Sequence, residues 1–182
     1  MQFSPTSLPD VLLIDIHRHE DERGSLAETY RAEAFAAAGI PAAFVQENHS
    51  SSRRGVLRGL HYQIRQAQGK LVRVVGGRIF DVAVDLRRRS PTFGRSVGIE
   101  LDGEHGQMMW IPPGFAHGLY TLSDRAEIIY KMTDYYAPEW ERTLLWNDVR
   151  LKITWPLVDG EMPKVSAKDA LGLPLDQAEV FE

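Results

Sequence analysis

The chain has 182 residues, close to the length of one ordinary domain, so we expect a single domain over residues 1–182. Hydrophobic residues make up 43% and charged residues 25%, as in a soluble globular protein, and the absence of cysteine excludes disulfides and thiolate chemistry. The net charge of −4 argues against general nucleic-acid binding, and no apolar run reaches the roughly 18 residues of a membrane helix.

The N-terminal part of the sequence predicts one helix. Residues 1–10 lack the basic start and apolar core of a secretory signal, so we expect the protein in the cytoplasm. Residues 28–38 are rich in alanine and glutamate, include Phe35 and precede Gly39, a pattern that predicts a short helix with a glycine C-cap.

From residue 44 onward the sequence is dominated by short β-rich runs, at 71–75, 78–86, 97–101, 108–111, 118–122 and 128–132. Gly76-Gly77 and Asp102-Gly103 predict two-residue hairpin turns, and Ser90-Pro91 predicts a loop. Many short strands with almost no helix between them favour an all-β fold, a cupin-type jelly-roll β-barrel with short peripheral helices. From about residue 157 we expect an irregular tail with a short helix near 167–171.

The most polar part of the β-rich region lies at 46–50 and 55–63. In a regularly alternating strand, Arg58 and His61 point to opposite faces, so either face carries a polar side chain. A barrel with a polar lumen accommodates such a strand.

Residues 112–117 resemble the second metal-binding motif of cupins, P-x-G-x-x-H. Metal-dependent cupins take further ligands from an H-x-H pair and a glutamate, but here Gln63 stands in place of the second histidine and no glutamate follows at a suitable spacing. His61 and His117 alone make a poor metal site, so we expect neither a metal nor another cofactor. A metal-dependent oxygenase or isomerase with the same fold is the alternative.

A series of short motifs runs through the chain. They read RGLHYQ at 58–63, QGKLVR at 68–73, FDVAVD at 80–85, SPTFG at 90–94, GFAHG at 114–118 and YK at 130–131. In this order they resemble the dTDP-4-dehydrorhamnose 3,5-epimerase family, and the resemblance extends over about residues 21–156.

The resemblance implies epimerisation of a dTDP-4-keto-6-deoxyhexose at carbon 3, carbon 5 or both, as in dTDP-rhamnose biosynthesis. These carbons flank a ketone that acidifies them, so inversion needs a base on one face of the sugar and a proton donor on the other. By resemblance, His61 is the base and Tyr130 the general acid. The family's S-x-K-D motif recurs at 166–169, which makes Asp169 the partner that orients His61.

The resemblance also implies how the substrate is held. Lys70 stabilises the enolate oxygen, and Arg58 shares that role or binds the pyrophosphate. Tyr136 is a stacking surface for the nucleotide base. Because the early segment of such enzymes commonly crosses to a neighbouring subunit, a homodimer with shared sites is implied. The implied substrate-binding residues are Arg23, Glu28, Gln46, Asn48, Arg58, Lys70, Asp81, His117 and Tyr136.

Two departures from the family pattern leave the exact sugar open. Ser25, Leu26 and Ala27 follow Arg23-Gly24 where the family usually has an aromatic residue, and the loop at 63–68 lacks a proline common in relatives. A single-carbon epimerase of another deoxysugar pathway is therefore an alternative. A non-catalytic sugar-nucleotide binding module is a third interpretation, although binding alone does not require an acid and a base.

Overall fold

The computed structural model describes residues 1–41 and 43–182, which form a protein dominated by strands. Its two helices are α1 (Ala32–Ala37) and α2 (Ala167–Ala170), and 3₁₀ turns lie at Pro138–Trp140 and Val158–Gly160. The strands are β1 (Gln2–Pro5), β2 (Leu12–Asp15), β3 (Arg18–Asp21), β4 (Gly24–Ala27), β5 (Gln46–Arg53), β6 (Leu57–Gln63), β7 (Lys70–Gly76), β8 (Arg78–Asp85), β9 (Ser96–Asp102), β10 (Met108–Ile111), β11 (Phe115–Thr121), β12 (Arg125–Met132) and β13 (Glu141–Thr143).

Two antiparallel sheets pack against each other. A six-stranded sheet has the order β1-β2-β10-β7-β12-β5, and a five-stranded sheet has the order β13-β6-β11-β8-β9. The strands β3 and β4 pair only with each other in a separate hairpin among the described residues. The predicted all-β jelly-roll barrel with short peripheral helices is confirmed.

The apolar core follows from the alternation of side chains along the strands. Val72 and Val74 of β7 and Ile128 of β12 pack between the sheets against Ile79 and Leu119 of the five-stranded sheet. Such alternation buries one face of each strand and leaves the other for a second layer or for solvent.

The outer face of the six-stranded sheet is covered by the predicted helix. Leu71 of β7, on the opposite face from Val72, packs in a cluster with the fully buried Phe35 of α1. The helix is shorter than the predicted range because Arg31 has extended dihedral angles and forms its N-terminal boundary. Gly39, at φ +78°, follows its C-terminal end as predicted.

The two predicted hairpin turns are wrong. Gly76-Gly77 connects β7 to β8, and Asp102-Gly103 lies between β9 and β10, and in both cases the flanking strands belong to different sheets. Both turns carry the chain from one sheet to the other, and the Gly103 N–H donates to the Gly77 carbonyl at 3.0 Å. A glycine-rich dipeptide specifies a sharp local turn but not which strands pair afterwards, because pairing depends on distant partners.

The predicted loop at Ser90-Pro91 is confirmed and joins the antiparallel pair β8 and β9. The buried carboxylate of Asp85 accepts hydrogen bonds from the hydroxyls of Ser90 and Thr92, both at 2.6 Å, and from Arg87. Although burial opposes ionisation, these bonds lower the pKa of Asp85 to about 2. A paired carboxylate therefore holds this loop.

The C-terminal tail is irregular apart from short helical segments, as predicted, and α2 falls within the expected range. It returns to the barrel through isolated bridges that join Val56 to Lys164 and Leu144 to Leu173. In the described part of the chain, neither helix has the length and apolarity needed to cross a membrane.

An irregularity in β6 changes which residues face inward. His61 pairs with His117 of β11, and Arg58 pairs with Leu119, so three steps along β6 correspond to two along β11. Such an extra residue is a β-bulge, and it breaks the alternation that would place Arg58 and His61 on opposite faces. Gly59, at φ +123°, occupies the bulge. The bulge, and not regular alternation, thus places the polar side chains of β6 on the side of the lumen.

We predict that Gly59→Ala destabilises the protein by about 3 kcal/mol, measured by urea denaturation, because strain and overpacking add. A Cβ atom at this position would lie 2.5 Å from Gly118 Cα and 2.8 Å from the His117 carbonyl oxygen. Both contacts are with backbone, which has little freedom to move.

Gly39→Ala is the matched control, since Gly39 has φ +78° but nothing within 4 Å of the added atom and lies outside the β3–β4 hairpin. It should cost about 1 kcal/mol, from the dihedral angle alone. Equal losses in the two variants would contradict the steric argument.

Candidate active site

The polar side chains singled out from the sequence converge on one cavity of about 970 Å³. Strands of both sheets and the C-terminal tail contribute to its walls. Nine of the sequence-predicted site residues line it: Gln46, Asn48, Arg58, His61, Lys70, His117, Tyr130, Tyr136 and Asp169.

A short polar contact in the cavity joins a histidine and a carboxylate. His61 Nε2 lies 2.6 Å from Asp169 Oδ1, with the histidine side chain 29% exposed and the aspartate side chain only 4% exposed. When Nε2 donates its hydrogen to the carboxylate, Nδ1 carries the lone pair. The pair therefore fixes the tautomer that accepts a proton at Nδ1.

Helix α2 presents Asp169 to the histidine. Ser166 caps the helix, and its Oγ accepts the Asp169 N–H at 3.1 Å. The second carboxylate oxygen accepts the Gly59 N–H at 3.3 Å, so the tail is also tied to the bulge of β6. Burial raises the pKa of Asp169, but the hydrogen bonds and the interaction with His61 outweigh it and leave the pKa below its usual value.

A second histidine and carboxylate pair lies deeper in the five-stranded sheet. His117 Nε2 is 2.7 Å from Asp81 Oδ1, and both side chains are buried. Asp81, predicted among the substrate-binding residues, does not itself line the cavity but bonds His117, which does. Its other carboxylate oxygen, Oδ2, is buried without a hydrogen-bond partner.

Lys70 reaches across the barrel from the six-stranded sheet. Its Nζ donates a hydrogen bond to the His61 carbonyl oxygen at 3.1 Å, which places the ammonium next to strand β6. Burial lowers the pKa of Lys70 to about 8, although attraction to Asp81 and Glu141 works in the opposite direction. The side chain remains a cation at neutral pH, in surroundings where its charge acts strongly.

Tyr130 and Arg58 are each held by a serine of the edge strand β5. The Tyr130 hydroxyl lies 2.7 Å from Ser50 Oγ, and Arg58 Nε donates to Ser52 Oγ at 2.9 Å. Burial raises the pKa of Tyr130, so the phenol keeps its proton at neutral pH. Tyr130 belongs to the six-stranded sheet and His61 to the five-stranded sheet, which puts a proton donor and a proton acceptor on different walls.

The cavity residues that the sequence analysis did not select include Glu141 and Lys168. Their side chains form an ion pair at 2.5 Å, and Glu141 also accepts the Tyr136 hydroxyl at 2.8 Å. Lys168 is part of the 166–169 motif that identified Asp169, so that motif already contained a signal for it. Glu141 lies on a strand of three residues that has no recognisable pattern.

Besides Asp81, two predicted site residues lie outside the cavity of the single chain. Arg23 is in the turn between β3 and β4, where it pairs with Asp21, and Glu28 pairs with Arg31. Neither residue lines the cavity.

The described residues do not gather a metal-binding set. Within 1–41 and 43–182, no three histidine or acidic side chains come together in a way that would hold a metal ion. His61 and His117 stand opposite each other on paired strands, but each has one ring nitrogen engaged by a carboxylate. Gln63, at the position of the missing cupin histidine, directs its amide to backbone groups instead.

Comparisons with known proteins agree over nearly the whole chain. A family model described as dTDP-4-dehydrorhamnose 3,5-epimerase matches residues 5–177. The dTDP-4-dehydrorhamnose 3,5-epimerase of Pseudomonas aeruginosa is 55% identical over 182 residues, which cover 100% of this chain and 99% of that protein.

Solved structures give the same result. The crystal structure of dTDP-6-deoxy-D-glucose-3,5-epimerase from Legionella pneumophila in complex with dTDP-4-keto-L-rhamnose is 47% identical, with a TM-score of 0.94 over 98% of this chain and 94% of that one. A 3′-monoepimerase from Streptomyces bikiniensis, in complex with dTDP-quinovose, is 34% identical, with a TM-score of 0.88 over 94% of this chain and 87% of that one.

Proposed function

This chain belongs to the dTDP-4-dehydrorhamnose 3,5-epimerase family, and from that premise we propose how its residues carry out the reaction. The enzyme epimerises a dTDP-4-keto-6-deoxyhexose, the step that converts dTDP-4-dehydro-6-deoxyglucose to dTDP-4-dehydrorhamnose in dTDP-rhamnose biosynthesis. One observation carries the proposed roles: His61 of the five-stranded sheet, paired with Asp169 of α2, and Tyr130 of the six-stranded sheet line one cavity.

His61 removes the proton from the carbon next to the ketone. The Nδ1 lone pair takes the proton, the electrons of the C–H bond form a carbon–carbon double bond, and the carbonyl oxygen becomes an enolate. The imidazolium that results is stabilised by Asp169, whose lowered pKa keeps it ionised at neutral pH. A buried carboxylate thus orients the base and balances its charge.

Lys70 stabilises the enolate oxygen. A cation that is already in place and little hydrated lowers the energy of the developing negative charge more than a solvent-exposed one does. Arg58, fixed by Ser52, shares this role or binds the pyrophosphate. His117 contacts the sugar, supported from behind by Asp81.

Tyr130 returns a proton to the opposite face of the carbon. Its phenol gives the proton to the enolate carbon, the carbonyl re-forms, and the configuration is inverted. The phenolate then regains a proton, and His61 loses the one it took, so the enzyme returns to its starting state without a net change.

The nucleotide lies at the outer part of the cavity in this proposal. Tyr136, which is 51% exposed, offers a flat face for the thymine base, and Gln46 and Asn48 of the edge strand β5 supply polar contacts. Glu141 and Lys168 lie beside Tyr136 and complete this polar end.

Inversion at a single carbon is the alternative. It is supported by the similarity of this chain to a 3′-monoepimerase. That relative is 34% identical, against 55% for the Pseudomonas aeruginosa 3,5-epimerase, so the comparison favours inversion at both carbons. The groups used at the two carbons are the same, and the number inverted depends on how the sugar turns in the cavity.

We predict distinct results for the two proton-transfer groups when dTDP-4-keto-6-deoxyglucose is incubated in heavy water and examined by NMR. The intact enzyme should place deuterium at carbons 3 and 5 with inversion. His61→Ala should lose this exchange, by at least about 100-fold, because no base remains. Tyr130→Phe should still exchange, but with retention, because His61 can return a deuteron only to its own face.

Exchange at the full rate in His61→Ala would contradict the assignment of the base. Inverted product at an unchanged rate in Tyr130→Phe would contradict the assignment of the acid. Deuterium at one carbon only, in the intact enzyme, would establish the single-carbon alternative.

The lowered pKa of Lys70 predicts an alkaline limit to activity. Only the protonated amine stabilises the enolate, so kcat/KM should fall as the pH rises through about 8. Lys70→Met should lower kcat by about 100-fold and remove the fall in kcat/KM at high pH, the alkaline limb of the pH profile. Lys70→Arg keeps its charge across the range, so the limb should disappear or move upward. An unchanged alkaline limb in both variants would assign it to another group.

We also propose that the enzyme is a homodimer with sites completed across subunits. Arg23 and Glu28 lie outside the cavity of their own chain, the hairpin of β3 and β4 pairs with neither sheet, and Leu26 on it is 75% exposed. These features suit an arm that lies against a second copy. The single domain and the cytoplasmic location remain predictions from the sequence.

Mixing two inactive variants tests this sharing of sites. A mixed dimer of His61→Ala and Arg23→Ala has one cavity with both defects and one with neither, so mixing should restore about a quarter of the intact activity if subunits exchange randomly. The control is mixing His61→Ala with Lys70→Met, since both residues line the cavity of their own chain, so each cavity of a mixed dimer carries one defect and no intact cavity can form. Absence of recovery despite proven exchange would mean that each chain builds its own site.

A further inference from the structure

The segment that carries Tyr136 has no regular secondary structure. Residues 133–137 follow the end of β12 and precede the 3₁₀ turn at Pro138–Trp140, so most of their backbone groups are outside a strand ladder. Backbone groups that are removed from water need other partners. Here the partners include the side chains of neighbouring elements.

One glutamine side chain bonds the segment on both sides of Tyr136. Gln63, the last residue of β6, is only 4% exposed. Its Nε2 donates to the Tyr135 carbonyl at 3.2 Å, and its Oε1 accepts the Ala137 N–H at 2.8 Å. Nε2 also donates to the Gln66 carbonyl at 2.8 Å, within the loop that follows β6. A single amide thus joins two loops.

Two further contacts act on Tyr136 itself. Its N–H donates to Gln46 Oε1 at 2.8 Å, and its hydroxyl donates to Glu141 Oε2 at 2.8 Å. The ring is therefore supported at both ends while half of its surface remains open to the cavity and solvent. Among these partners, Gln63 alone is buried and bonds both flanking residues.

We propose that Gln63 is a positioning residue that holds Tyr136 in the orientation in which its ring receives the nucleotide base. The proposal rests on the nucleotide contact assigned to Tyr136 above. Gln63 acts on substrate binding and not on proton transfer, because its amide faces the segment at 133–137 and not the His61–Asp169 pair.

The chemistry of the amide explains why glutamine suits this position. The side chain donates two hydrogen bonds and accepts one, in a buried place where an unsatisfied group is costly. A neutral histidine, the residue of metal-binding cupins at this point of the motif, offers one donor and one acceptor, and a glutamate offers no donor when ionised. Neither replacement makes all three bonds.

The test is a double-mutant cycle on Gln63 and Tyr136, with dTDP as the probe and calorimetry as the binding measurement. Gln63→Met should raise the dissociation constant of dTDP, and KM for the keto sugar, by about tenfold, with kcat changed less than about threefold. Tyr136→Ala should weaken dTDP binding by itself. In the Tyr136→Ala background, Gln63→Met should add almost nothing, because the ring it holds is absent.

Additive losses in the cycle would overturn the proposal, as would a fall in kcat as large as the rise in KM. Unchanged dTDP binding in Tyr136→Ala is a different failure, since it would overturn the nucleotide contact of the proposed function. Gln63→Glu, which keeps the acceptor and loses both donors, should give a loss of the same kind and serves as the second cycle if Gln63→Met does not fold.

Gln107→Met is the control for loss of a half-buried amide. Its Nε2 donates to Asp15 Oδ1 at 2.6 Å, outside the cavity. This variant should leave dTDP binding unchanged. If Gln107→Met weakens dTDP binding as much as Gln63→Met does, the effect of Gln63→Met is a general effect of losing an amide contact. That result would contradict the positioning role of Gln63.

Discussion

The single extra residue in β6 is the constraint on which the rest of the site depends. It turns Arg58 and His61 toward one cavity, and it frees the Gly59 N–H from the strand ladder so that this group bonds Asp169. Glycine is required because the backbone is in a left-handed region and the strand β11 lies against it. Local backbone geometry thus decides both which side chains enter the cavity and how the tail docks.

The arrangement of charge in the cavity follows from burial. Two histidines each pair with a nearly inaccessible carboxylate, and one lysine lies close enough to one of these acids to be attracted by it. Removing water strengthens such interactions but makes an isolated charge unfavourable, so the charges come in compensating sets. The two facing sheets keep the proposed base, His61, apart from the proposed acid, Tyr130, which a proton transfer with inversion requires.

Much of this arrangement was readable from the sequence, and the limits have physical causes. The strand-rich pattern identified the jelly roll, and the order of short motifs selected His61, Lys70, Tyr130 and Asp169, which the fold brings to one cavity. The turns at Gly76-Gly77 and Asp102-Gly103 were misassigned because a dipeptide does not encode the sheet to which the next strand belongs.

Other residues were out of reach for a related reason. Asp81 was predicted among the substrate-binding residues; in the structure it bonds His117, which lines the cavity, and the sequence alone does not show which of the two side chains reaches the cavity. Glu141 gave no signal because its role arises from contacts with Lys168 of the tail and with Tyr136, and no sequence pattern indicates either contact. Asp169, the proposed orienting partner of His61, is likewise 108 residues from it along the chain, on a four-residue helix in the tail. During synthesis on a ribosome, every strand of the described chain emerges before that helix does, so the sequence of the barrel is present before Asp169 can orient His61 in the way we propose. On this proposal, proton transfer begins only when the tail has docked at the bulge of β6.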